Sequence, residues 1–245
     1  MKTKTRIAIA CLSMLLIAFT ANAQWGQEKV KGNGNMVTKE RNTGDYDAVN
    51  IAGSFDVELV SGTEGNIVIK AEENLIPHIE TEVKNNTLKI SVEKGYDLRP
   101  GKNHKMQITV PFQDISKVSL AGSGDVMTKS AIKADTFKAS LAGSGDMSLE
   151  VNAAKVAGDV AGSGDLVLSG NTTEFDCNIA GSGDINAAGL KAENVEASIS
   201  GSGDAHVHCN GMLKGRIVGS GNIKYRGNPQ KEDTKVIGSG KISKE

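Results

Sequence analysis

The sequence predicts an all-β fold: a β-helix-like solenoid with rungs of about 19–20 residues, capped by an N-terminal antiparallel β segment. Three observations carry this. The phrase Gly-Ser-Gly followed by a polar residue recurs seven times, starting at Gly122, Gly143, Gly162, Gly181, Gly201, Gly219 and Gly238, at intervals of 21, 19, 19, 20, 18 and 19 residues. A fixed period of this size marks units that bury an apolar face only by stacking on their neighbours. Six, four and two positions before the phrase stand large, small and large residues, as in Phe137, Ala139, Leu141 and Phe175, Cys177, Ile179. That is the period of two expected of strands with one buried face. Finally, one Trp, three Tyr and five Phe among 245 residues suit a thin aliphatic core better than a thick globular one.

Along the chain, residues 1–23 read as a signal peptide. Lys2, Lys4 and Arg6 precede an apolar run from Ile7 to Phe19 that ends at Ala21-Asn22-Ala23, an A-x-A cleavage site. The run is too short to span a bilayer, and no transmembrane segment remains after cleavage. Residues 24–118 read as an N-terminal β region of degenerate rungs plus an antiparallel insertion. Gly32-Asn33-Gly34-Asn35 and Gly53-Ser54-Phe55-Asp56 echo the phrase 21 residues apart, and the period then disappears. Antiparallel strands are expected at Val57–Val60, Asn66–Ala71, Ile79–Val83, Thr87–Glu93 and Met106–Val110, with a hairpin at Asn85-Asn86. Leu75 to His78 reads as a short connection and Asp97 to His104 as a loop. Residues 119–245 form the repeat solenoid.

Each phrase is expected to be a corner. Gly122 and Gly124, Gly143 and Gly145, Gly162 and Gly164, Gly181 and Gly183, and Gly201 and Gly203 allow a bend that a Cβ would hinder. Asp125, Asp146, Asp165, Asp184 and Asp204 can accept backbone N–H groups of their own turns, as in an Asx-turn. The next residue, from Val126 to Ile242, faces the core. A 19-residue rung has a contour of roughly 60 Å, which encloses side chains and no tunnel.

Removing three of the 28 Lys and Arg and none of the 29 Asp and Glu with the signal leaves a net charge of −4. A mildly acidic chain argues against nucleic acid as a partner. Of the remaining cysteines, Cys177 occupies the small core position, while Cys209 falls in a polar segment after a GSGD strand. Export permits a disulfide between them, and the sequence leaves that pairing open.

The signal peptide, Tyr46 to Gly62 (YDAVNIAGSFDVELVSG), Ala71 to Ser91 (AEENLIPHIETEVKNNTLKIS) and the GSGD series together resemble the autotransporter-adhesin head GIN domain family, common in Bacteroidetes. The resemblance covers nearly all of the chain after the signal. It implies a right-handed β-helix-like fold and an exported bacterial protein, and carries over neither an activity nor a catalytic residue. The four residues after Lys241 leave no room for a translocator barrel, so autotransport by this polypeptide is not expected.

For function, the expectation is a non-catalytic exported module of the periplasm, the outer membrane or the cell exterior, acting as an adhesin or as a cell-envelope binding or structural module, with a glycan or an envelope or surface protein as partner and a homo-oligomer as one arrangement. The alternative is a carbohydrate-active β-helix enzyme, a lyase or hydrolase. No catalytic or cofactor-binding residue stands out: the seven turn serines are equivalent, and an active site usually breaks the pattern of its scaffold. The corner aspartates would stack about 5 Å apart. Calcium is one way to neutralise such a column, but each rung offers a single carboxylate and Lys241 ends the series. Asp204, His206 and His208 alternate on one strand and are the only metal-ligand candidates. The same outward positions in neighbouring rungs carry Ser148, Glu150, Lys224 and Arg226, as on a solvated face.

Overall fold

The structure, a computed structural model, describes residues 27–245; the signal-peptide reading falls outside them. Among the described residues, alternating patterns and glycine corners give twenty strands. They are β1 (Glu28–Lys31), β2 (Met36–Gly44), β3 (Ala48–Gly53), β4 (Asp56–Ser61), β5 (Gly65–Glu72), β6 (Ile79–Lys84), β7 (Thr87–Val92), β8 (Tyr96–Arg99), β9 (Gln107–Phe112) and β10 (Lys117–Gly122). Then follow β11 (Asp125–Thr128), β12 (Ile132–Gly143), β13 (Asp146–Gly162), β14 (Leu166–Gly181), β15 (Ile185–Gly201), β16 (Ala205–Cys209), β17 (Met212–Gly219), β18 (Ile223–Arg226), β19 (Lys231–Gly238) and β20 (Ile242–Lys244). One 3-10 turn, Ile76–His78, makes the expected short connection. Apart from β1 and β8, all strands belong to one sheet of 18 strands, wound into a β-solenoid of about seven turns. The sheet runs unbroken across residue 118, since β10 pairs in parallel with β3 on one side and β12 on the other.

The corners fall in register. Gly53, Gly122, Gly143, Gly162, Gly181, Gly201, Gly219 and Gly238 form one column, all with positive φ. Each rung's corner lies directly on the one before. The carbonyl of Gly143 accepts the N–H of Ser163 at 2.8 Å and of Gly164 at 3.1 Å, and the same pair of bonds recurs at Gly162, Gly181, Gly201 and Gly219. A Cβ on Gly162 would lie 2.3 Å from the Gly143 oxygen, so glycine is required by the closeness of stacking as well as by the bend.

Between corners the expected columns fill the core. Phe137, Val156, Phe175, Val195 and Leu213 are buried, and so are Leu141, Val160, Ile179, Ile199 and Ile217. Each such side chain contributes about 1.5–3 kcal/mol relative to exposure. The small position works as expected: a Cβ on Gly158 would lie 3.1 Å from Leu166 of the opposite wall. Unequal rungs are absorbed on the strand after the corner. The register of β14 against β15 shifts between Val167 and Ser169, and that of β15 against β16 between Ala187 and Lys191.

The N-terminal region departs from the expectation in three respects. Residues 57–118 are not simply antiparallel: β7 pairs in parallel with β3 and β9 in parallel with β4. They form an additional rung beneath β3 and β4, so the chain folds back before resuming its climb at β10. Only β5, β6 and β2 are antiparallel, with β6 on β7 and β5 between β9 and β2. The Asn85-Asn86 hairpin is present, both residues having positive φ. Tyr96–Arg99, expected to be largely loop, is a strand paired with β1. Gly32-Asn33-Gly34 is not a rung corner; it wraps a buried carboxylate, described below.

Cys209 is also corrected. It ends β16 fully buried, its Sγ donating to the Glu193 carbonyl at 3.4 Å, because the strand's alternation points it inward. Cys177 is equally buried, and both are free. Burial pushes the Cys177 thiol up to about 12 and that of Cys209 upward. A chain lacking residues 1–23 should therefore give no fast reaction with a thiol reagent when native and two thiols when denatured; one fast-reacting native thiol would contradict this packing.

Candidate binding surface

Four of the five corner aspartates, Asp146, Asp165, Asp184 and Asp204, hold backbone, and they do so between rungs. The Asp146 carboxylate accepts the N–H of Asp165 at 3.0 Å, Asp165 that of Asp184 at 3.1 Å, Asp184 that of Asp204 at 2.7 Å, and Asp204 that of Asn222 at 2.7 Å. Asn222 passes the same bond to Lys241 at 3.1 Å. The acceptor thus serves the next rung, not its own turn as the sequence suggested, because parallel stacking brings the equivalent N–H directly overhead. The column begins at a lysine: Lys105 sits 2.6 Å from Asp56 and 3.9 Å from Asp125, and the hydrogen bond to Asp56 holds its ammonium above the ordinary value.

The alternating trio is not brought together as a ligand set. His206 turns its Nδ1 to Glu245 at 2.7 Å, and Glu245 also takes Arg226 at 2.5 Å. These two contacts hold the Glu245 carboxyl below its ordinary range, the Arg226 bond foremost. Asp204 is occupied by Asn222, and His208 pairs across the ladder with Arg226. Among the described residues, no three His, Cys, Asp or Glu side chains are grouped to hold a metal ion.

The concave feature lies on the other edge, where each rung bends a second time without a glycine phrase. Thr136, Lys155, Glu174 and Asn194 stack there in register. Where residues 114–116 enter β10, this edge opens into a hollow of about 820 Å³ lined by Asp47, Asp114, Ser116, Lys133, Asp135 and Asn152 among others. A second hollow shares Asp135 and Thr136 and reaches Lys155 and Glu174; a third shares those two and reaches Lys214. Together they form one furrow along the solenoid, lined by six carboxylates and three lysines.

The two ends of the furrow differ electrically. At the narrow end Lys155 lies 2.8 Å from Asp176 and Lys214 lies 2.5 Å from Glu196, so charges cancel between rungs. At the wide end Asp114, Lys133 and Asp135 are exposed and form no ion pair among the described residues, while Asp47 accepts from Asn86 at 2.9 Å. Sequence reasoning missed the furrow, because no fixed phrase marks the second bend.

It also missed Glu72, which is 1 % exposed. Its carboxylate accepts the N–H of Gly34 at 2.6 Å and of Gly101 at 2.8 Å, and His104 Nδ1 lies 3.2 Å away, off the line of a hydrogen bond. Burial pushes its pKa up, but the Gly101 and Gly34 amides and His104 outweigh it and hold the group below its ordinary value. A Cβ on Gly32 would fall 1.9 Å from this carboxylate, which explains that glycine.

A family model described as "Putative auto-transporter adhesin, head GIN domain" matches residues 45–229. The chain belongs to this family. Its head GIN fold is similar to that of a crystal structure described as a putative adhesin from Bacteroides fragilis, with TM-score 0.80 and 24% identity over 88% of this chain and 100% of that one. A structure described as a putative adhesin from Parabacteroides merdae matches the head GIN chain with TM-score 0.71 and 27% identity, over 89% and 99%. One from Parabacteroides distasonis, described as a putative lipid binding protein, matches with TM-score 0.72 and 28% identity, over 89% and 100%. No curated protein matches the chain. Among the described residues, no helix is long and apolar enough to cross a membrane.

Proposed function

We propose that this head GIN protein is an exported, non-catalytic adhesin-type module that holds a glycan in the wide end of its lateral furrow. The observation that carries this reading is the set of Asp114, Lys133 and Asp135 with Ser116 and Asn152, polar groups gathered in one hollow. The charged ones are not engaged in ion pairs within the fold, whereas the narrow end is charge-paired. Carboxylates, amides and hydroxyls supply the acceptors and donors that sugar hydroxyls need. The excess of carboxylates along the furrow favours neutral or amino sugars over acidic ones. The family and the adhesins it resembles support the same class of activity.

The test is a glycan array probed with the processed chain and with the double variant Asp114→Asn, Asp135→Asn. Loss of roughly 1.5–3 kcal/mol of charge-assisted hydrogen bonding corresponds to about 10-fold weaker binding or more. The thermal midpoint should be unchanged, because both side chains are exposed. Equal binding by the variant would move the site elsewhere, and no binding to any glycan by the parent chain would sink the reading.

A further inference from the structure

The two ends of the solenoid are finished differently. At the N-terminal end the β7 and β9 edges are covered by β6 and β5, and Arg41 of β2 ties the covering strands by hydrogen bonds to the carbonyls of Ile76 and Ile79. At the other end β19 hydrogen-bonds to β17 and to no other strand among the described residues. All eight of its residues are exposed. Ile237 is 55% exposed and lies in register with Val218, at 54%, while Val236 on the core side is 38% exposed. A row of free N–H and C=O groups beside apolar surface is a template for another strand.

We propose that the occupant is β19 of a second copy, paired antiparallel about a two-fold axis at Thr234. Head-to-tail stacking is blocked, since the opposite end is covered; like ends must therefore meet, which gives an isologous, closed pair. Residues directly opposite in an antiparallel ladder point to the same face. Core-side Glu232, Thr234 and Val236 stay on the core side only if the axis passes through a residue rather than between two.

Four such registers pair five or more of the eight residues of β19, and the one with its axis at Val236 sets no unlike charges opposite each other. An axis at Asp233 sets Lys231 opposite Lys235, and an axis at Lys235 sets two copies of that lysine face to face. An axis at Thr234 sets each Lys235 opposite the partner's Asp233, and the stem of Lys231 over the partner's Ile237. Unlike charges across a ladder stabilise and like charges destabilise, so charge complementarity selects Thr234. Lys235 has no carboxylate partner in its own chain among the described residues, and Glu232 keeps its hydrogen bond from Tyr225 at 2.8 Å.

The test is cysteine crosslinking of the processed chain. In the proposed register, Thr234→Cys places two thiols opposite each other with Cα atoms about 4.5–5.5 Å apart, within disulfide range. Cys177 and Cys209 are buried and do not compete. Mild oxidation should give a covalent dimer with Thr234→Cys. Lys231→Cys should give none, its symmetry mates being roughly 20 Å apart. Lys235→Glu should weaken the dimer about 10-fold or more in sedimentation while leaving the thermal midpoint of the monomer unchanged. A parent chain that stays monomeric at tens of micromolar, a series of higher oligomers, equal crosslinking at both positions or an unaffected Lys235→Glu dimer would each overturn the proposal.

Discussion

Gly162→Ala is expected to lower stability by about 2–6 kcal/mol, a large share of the 5–15 kcal/mol that holds a typical domain. Two costs add. The residue has φ 130°, where an L side chain is strained by about 1–3 kcal/mol. Its new methyl would also sit 2.3 Å from the Gly143 oxygen and must push two rungs apart, at about 1–3 kcal/mol. The displacement would loosen the paired bonds that Ser163 and Gly164 donate to that same oxygen. Gly44→Ala separates the contributions: φ is 80° there, but nothing lies within 4 Å of the added carbon, so only the backbone cost of about 1–2 kcal/mol applies. At roughly 2–4 °C per kcal/mol for a chain of this size, thermal melting should fall by roughly 5–20 °C for Gly162→Ala and by no more than about 8 °C for Gly44→Ala. Equal shifts would mean that the corner needs glycine for its bend alone.

What could be read in advance follows from how local each feature is. The corners and the large-small-large columns each repeat one rule, so a single chain displays the corner seven times and the columns five times. The fold-back of residues 62–116 repeats nothing. Gly53 stacks on Gly122, 69 positions later, and Ser54 meets Ser123 across the same gap at 3.1 Å, with no spacing to announce it. Phe55 obscures the first corner further by standing where later rungs have glycine. A usable signal was the shared alternation of Thr87–Val92 with Ala48–Gly53, which parallel pairing places side by side. The furrow was hidden for a different reason. Beside its bend stand residues as unlike as Thr136, Lys155, Glu174 and Asn194, so only the folded backbone brings its charges into line. The corner aspartates were recognisable as backbone acceptors, but the identity of the N–H depended on the stacking of rungs.

Glu72 was hidden by its company, since a carboxylate within Ala71 to Leu75 reads as solvated surface. Its removal should have the second large effect, confined to the cap. Glu72→Ala would leave the part-buried Gly34 and Gly101 amides without their acceptor, at up to about 1–3 kcal/mol each. Those amides belong to the loops that follow β1 and β8, so these two strands should lose protection first in hydrogen exchange while β13 to β15 keep theirs. The same group sets a pH window. Its folded-state pKa lies below the ordinary value of 4.5. The stabilisation is therefore complete above about pH 4.5 and drains away as pH falls through the lower folded-state value. Acidification of the native protein should release β1 and β8 before the rungs. Glu72→Gln, which keeps the shape but not the charge, should start with weaker protection in these strands and change little over the same pH range. Unchanged protection of β1 and β8 in Glu72→Ala at neutral pH would show that the pairing of β1 with β8 holds the cap without the buried carboxylate.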